Sequence, residues 1–162
     1  MTFRPQPGMD VRTGNAMMIA QIMGAPPQPY HEGGAALRVL EVRGRTSGEP
    51  RVVPIGVPQR EGVRYLVSPT RAREWVRNVL AAGECTLVTA ATREQYRVRL
   101  ASANEAVPVM QEYVQGMARR GAQFAVAQFP FAPDASTDEM RVQLDAVAVF
   151  RLDPLPSVSR GV

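Results

Sequence analysis

The chain has 162 residues, of which 45% are hydrophobic and 21% charged, with a formal net charge of +4. A chain of this length forms one domain and buries roughly 70% of its unfolded surface, so its core needs no disulfide. All 19 basic residues are arginine, and Cys85 and His31 stand alone. This excludes Schiff-base chemistry on lysine, a Walker-type phosphate loop, an intrachain disulfide and a cysteine–histidine zinc site.

A Ser-His-Asp or Cys-His triad would have to use His31, which lies in the flexible Pro- and Gly-rich stretch 26–34. Cys85 opens an apolar run and reads as a small core residue. The abundance of Arg, Ala, Gly, Pro and Val is the composition of a GC-rich genome. The N-terminus carries no apolar signal segment, and the patch 16–23 is far short of the ~20 residues needed to span a bilayer, so a cytoplasmic protein is expected.

Residues 1–34 read as an arm with one short helix inside a single domain, 1–162. Residues 1–12 are irregular, and Asn15 is placed to cap a helix running to Met23. The stripe Met17, Met18, Ile19, Ile22 and Met23 is expected to pack on the domain; a ligand lid or a membrane-surface contact is the alternative. Residues 37–42 and 52–57 are strand-like, and Pro54 implies an edge or a bulge. Residues 59–62 form a turn and 63–67 a third strand. Residues 71–82 read as a helix ended by Gly83. A hairpin follows over 84–91 and 95–101, then a helix over 105–120 with Pro108 in its first turn. Residues 121–140 carry no clear pattern. Residues 142–152 read as a strand with Leu144, Ala146, Ala148 and Phe150 on one face, and 153–162 as a loose tail.

This order is α+β. It describes a split β-barrel of about six mainly antiparallel strands with two to three helices over its openings. Strand–helix alternation is absent, and no Gly-x-Gly-x-x-Gly follows a strand, so a dinucleotide fold is unsupported.

Two segments carry the chemistry. The turn Gly44-Arg45-Thr46-Ser47-Gly48-Glu49-Pro50-Arg51 combines two glycines, two hydroxyls and two arginines, a set suited to an anion such as a phosphate. Nine arginines fall between Arg38 and Arg77, against four glutamates. Arg71 and Arg73 open the central helix, where cations oppose the macrodipole unless an anion offsets them. Trp75 is either a core anchor or a flat wall beside a ring system, with Asn78 on the same helix face.

Gly44-Arg45-x-Ser47-Gly48-x-Pro50-Arg51, then Pro54, then Trp75-Val76-Arg77-Asn78-Val79 and Ala81-Ala82-Gly83 together resemble the deazaflavin-dependent nitroreductase and quinone reductase family. The resemblance covers residues 37–87. It implies an FMN-binding-like split barrel that binds coenzyme F-420, whose tail carries a phosphate and a glutamate chain. It assigns coenzyme contacts to Arg45, Thr46, Ser47, Arg51, Val52, Val53, Pro54 and Ile55. Further contacts fall on Ser68, Pro69, Thr70 and Arg71, and on Glu74, Trp75, Val76, Arg77 and Asn78. Two positions depart from the family: Thr46 stands where many relatives have lysine, with Arg43 or Arg71 as substitutes, and Gly56 stands where some nitroreducing relatives have an aromatic residue.

The implied activity is hydride transfer from the reduced coenzyme to a small electron-poor acceptor: a quinone, an enone or a nitroaromatic. The sequence leaves the proton donor open among Tyr30, Tyr65 and solvent. An FMN-binding reductase and a coenzyme carrier without turnover are the alternatives, in a monomer or a homodimer. Nucleic acid is not an expected partner, because net charge is only +4, aromatics are 6% and no binding motif is present.

Overall fold

Hydrophobic alternation in six segments drives the chain into a closed antiparallel barrel. The computed structural model describes residues 8–156. Its strands are β1 (Ala35–Arg43), β2 (Pro50–Arg60), β3 (Val63–Ser68), β4 (Glu84–Val88), β5 (Arg93–Leu100) and β6 (Ala148–Pro154), and they close in the order β1-β2-β3-β6-β5-β4. The long β1–β2 hairpin runs from Ala35 opposite Pro58 to Arg43 opposite Pro50. By contrast, β2 meets β3 only at Gln59–Arg64 and Arg60–Val63. Pro54 therefore sits where one side of β2 has no named strand partner, as a proline in a strand requires. The β2–β3 turn is Glu61-Gly62, both at positive φ (53° and 76°), the two-residue geometry that matches strand twist. Glu32 fastens that turn by accepting hydrogen bonds from the Glu61 and Gly62 N–H groups and from Gln59.

Two apolar layers follow from the strand alternation. Leu40, Val42, Leu66, Leu87, Val98, Phe150 and Leu152 form one buried cluster with Trp75, Val76 and Val79 of helix α2 (Glu74–Ala82), which stoppers the barrel. Here α1 is Val11–Met23, α3 is Ala103–Arg119, α4 is Gln123–Val126 and α5 is Thr137–Val142. Tyr65, Val67, Val147 and Val149 belong to a second cluster, beneath α3 and α5. On α1, Met18, Ile19 and Ile22 cover Leu37, Val39 and Val88, while Met17 and Met23 stay exposed. Cys85 is buried in the first cluster, and burial pushes its thiol up to about 12. Among the described residues no helix is long and apolar enough to cross a membrane.

Several expected boundaries shift, each for a local reason. The cap of α1 is Asp10, whose carboxylate accepts from the Thr13 N–H and hydroxyl, not Asn15. Helix α3 starts earlier because Ser102 and Glu105 form a reciprocal capping box, which puts Pro108 in its second turn. Ser136 caps α5 through the Glu139 N–H, so residues 137–142 are helical and β6 begins only at Ala148. Leu144 and Ala146 lie in the intervening turn, whereas Ala148 and Phe150 do face the barrel interior. The helices number five among the described residues. Part of the expected tail, Asp153 and Pro154, closes the barrel against Arg97 and Tyr96; residues 1–7 and 157–162 lie outside the described range.

Glu105 also accepts from Arg99 and Arg151, and Arg99 above all holds its carboxyl well below the ordinary 4.5. A depressed folded value gives stability that is present above about pH 4.5 and lost as pH falls through the folded value. Urea midpoints across acid pH are expected to fall more steeply for the wild type than for Glu105→Gln; parallel curves would contradict this.

Candidate functional site

The two chemistry-bearing segments meet in space. The Gly44 N–H donates to the Glu49 carbonyl at 2.8 Å and the Gly48 N–H to the Gly44 carbonyl at 2.9 Å, which folds the turn on itself. Gly48 has φ 74°, a conformation that favours glycine. Gly44 is required for a different reason: a Cβ there would lie 2.8 Å from Ser47 Oγ. The turn is then tied to α2. Asn78 Oδ1 accepts from the Arg45 N–H at 3.1 Å and from the Arg45 guanidinium at 2.8 Å, and Glu74 accepts from the same guanidinium nitrogen at 2.8 Å.

Asn78 is only 5% exposed, so this pairing satisfies a polar group that burial would otherwise penalise. The tip of the turn is left with donors facing no acceptor. Among the described residues the Thr46 and Ser47 N–H groups make no intramolecular hydrogen bond. Ser47 Oγ accepts from the Glu49 N–H at 3.2 Å and from Arg51 at 3.3 Å, which holds that guanidinium at the turn. Exposed Arg43 has no partner among the described residues. Two amides, one hydroxyl and the Arg51 guanidinium therefore gather at the turn, while Arg43, opposite Pro50, points to the other face of the hairpin. This donor set fits a phosphate or a chain of carboxylates, and so fits the acidic tail of a deazaflavin.

The other expected site residues divide between surface and scaffold. Val52 is exposed and Pro54 half-buried, while Val53 and Ile55 belong to the barrel core. Ser68 is buried, donates to the Thr70 carbonyl at 2.6 Å and shapes the loop through buried Pro69. Arg71 precedes the helix instead of opening it, and donates to the Val147 and Leu144 carbonyls at 2.8 and 3.0 Å. It is therefore not a substitute charge for the missing lysine. The N-cap is Arg73, which hydrogen-bonds Gln128, and the first turn carries Glu74, a favourable sign for the macrodipole. Trp75 is 8% exposed with its ring 6.1 Å from that of Phe150, a core anchor and not a wall beside a ring system. Val76 is fully buried, and exposed Arg77 lies 3.8 Å from Glu74.

The tyrosines lie elsewhere. Tyr30 sits at the barrel mouth between the guanidiniums of Arg38 and Arg64, at 4.1 and 3.5 Å from its ring centre, and donates to Glu94 at 3.0 Å. Burial raises its pKa, and Arg38 around it is only 4% exposed. Tyr65 is buried in the layer beneath α3, and burial raises its pKa too. The residue that sequence reading missed is Tyr113 on α3. A Cβ at Gly56 would stand 3.4 Å from its hydroxyl, so the glycine that opens this side of β2 makes room for a tyrosine from a distant helix. The unusual Gly56 was the available signal; its partner was not.

No family model and no curated protein matches the chain. Solved structures resemble it at low identity. One, described as a domain-swapped dimer, has TM-score 0.50 and 14% identity over 72% of this chain and 79% of its own. A heme-binding protein from Mycobacterium smegmatis has TM-score 0.48 and 13% identity over 93% of this chain and 52% of its own. An F420 reductase has TM-score 0.38 and 13% identity over 81% and 97%. At these identities the likeness concerns the fold, and of the three only the first reaches 0.50. The fold is a split β-barrel.

Asn78→Ala removes the acceptor of two hydrogen bonds from Arg45. It is expected to cost about 1–3 kcal/mol in urea unfolding and to speed hydrogen exchange of the Arg45 amide; unchanged stability and exchange would show that the turn holds itself.

Proposed function

We propose that the protein is a deazaflavin-dependent oxidoreductase that uses reduced coenzyme F-420 to reduce a small electron-poor acceptor such as a quinone, an enone or a nitroaromatic. The observation that carries this reading is the pair of unpartnered Thr46 and Ser47 amides beside Arg51, on a turn clamped to α2 by Asn78. The bound coenzyme supplies the hydride. The turn residues hold its phosphate and glutamate tail. Arg45 acts mainly as a positioning residue, since one guanidinium nitrogen is already shared between Glu74 and Asn78. Val52, Pro54 and Thr70 border the coenzyme, with Glu74 and Arg77 at the edge. Val53, Ile55, Ser68, Pro69, Arg71, Trp75 and Val76 serve by fixing the barrel and the loop. Tyr113 offers a hydroxyl beside Gly56 of β2 as a further candidate proton donor.

One feature favours a second reading. The turn recognises a phosphate without distinguishing a deazaflavin from a flavin, so FMN would satisfy the same donors. Titration of both cofactors against the purified protein separates the two: F-420 is expected to bind more tightly, and tighter FMN binding would reverse the assignment. Arg51→Ala is expected to weaken F-420 by about tenfold to a hundredfold, as loss of a charged hydrogen bond of about 1.5–3 kcal/mol implies. Unchanged affinity in the folded variant would remove Arg51 from the site. A protein that binds F-420 yet oxidises the reduced form with no quinone, enone or nitroaromatic would be a carrier.

A further inference from the structure

A second feature faces away from the turn. A cleft of about 280 Å³ opens between the segment before β1, Pro58 of β2 and the second half of α3, lined by His31, Glu32, Glu112, Tyr113, Arg119 and Arg120 among others. This volume is at the small end of ligand sites, which run from roughly 300 Å³ upward, and suits a single ring or a short chain.

Its charges are unevenly committed. Glu112 is paired with Arg60, and Glu32 already accepts three hydrogen bonds. The side chains of Arg119 and Arg120 have no hydrogen-bond or ion-pair partner among the described residues. Both guanidiniums reach back over Gly116, three and four residues earlier on the same helix face: a Cβ there would lie 3.4 Å from an Arg120 nitrogen and 3.8 Å from an Arg119 nitrogen. Two like charges on one helix face beside a cleft repel each other, and an anion between them would offset that repulsion. The end of α3 also favours cations, although neither side chain donates to its last carbonyls.

We infer that this cleft binds a small organic anion, with Arg119 and Arg120 holding a carboxylate at its rim. Tyr113 joins the cleft to the coenzyme strand through Gly56. Resting on the function proposed above, the anion is the acceptor, which narrows the substrate class to single-ring acceptors that carry a carboxylate. Two guanidinium forks match that group in shape as well as in charge.

Calorimetry on the coenzyme-free protein with 4-nitrobenzoate and its neutral counterpart 4-nitrotoluene tests the inference. The carboxylate is expected to bind at least about tenfold more tightly. R119Q/R120Q should abolish that preference while leaving 4-nitrotoluene unchanged, and R119K/R120K should restore most of it. Equal affinities in the wild type, undiminished carboxylate binding in the Gln variant, or no saturable carboxylate binding would overturn it. So would a matching loss of F-420 affinity in the Gln variant, which would put the coenzyme's tail in the cleft. The two proposals fail separately: a wild type that binds 4-nitrobenzoate but not F-420 keeps the anion site and loses the coenzyme, and the reverse result loses only the cleft.

Discussion

The Asn78 carboxamide is the joint on which the site depends. Its oxygen takes both the backbone N–H and the guanidinium of Arg45, so the turn cannot drift from α2 without leaving that buried acceptor unpaired. Helix α2 is fixed in its turn by Trp75, Val76 and Val79, which stopper the barrel. A chain of constraints thus runs from the apolar core, through one buried amide, to the Thr46 and Ser47 amides at the rim. Preorganisation of this kind lowers the ordering cost of binding an anion.

The lysine-free composition is understood best through what each arginine does. Arg38 and Arg64 enclose Tyr30 and share Glu94 with it, an arrangement in which aromatic face, carboxylate and guanidinium offset one another inside the barrel mouth. Arg71 bonds two backbone carbonyls, which its planar fork can span. Arg60, Arg73 and Arg77 have neighbours on nearby elements. Of the cluster between residues 38 and 77, only Arg51 remains for an anion at the turn, with part of Arg45; Arg43 is unpaired on the other face of the hairpin. The dense positive charge is mostly structural.

The strands were legible because alternation, Gly44, Gly48 and Glu61-Gly62 are local signals, and their order gave a barrel. The turn and the Trp75–Asn78 block were legible as a pair by their residues alone, although their contact is tertiary. Ser102 with Glu105 and Ser136 with Glu139 were readable as helix starts, yet the apolar alternation at Val142 and Leu144 imitates a strand and hid α5. Arg71 and Tyr113 were not legible. Each acts on a partner far away in sequence, Val147 for one and Gly56 for the other, and no local pattern encodes such pairs.

If the turn is the holder of an acidic tail, its free amides must feel the tail directly. Amide chemical shifts of isotopically labelled protein, followed during addition of coenzyme F-420, read this residue by residue. The largest saturating shifts are predicted at Thr46 and Ser47, with smaller ones at Arg45 and Arg51. Saturating shifts centred on Tyr113 to Arg120 with Thr46 and Ser47 unmoved would contradict it.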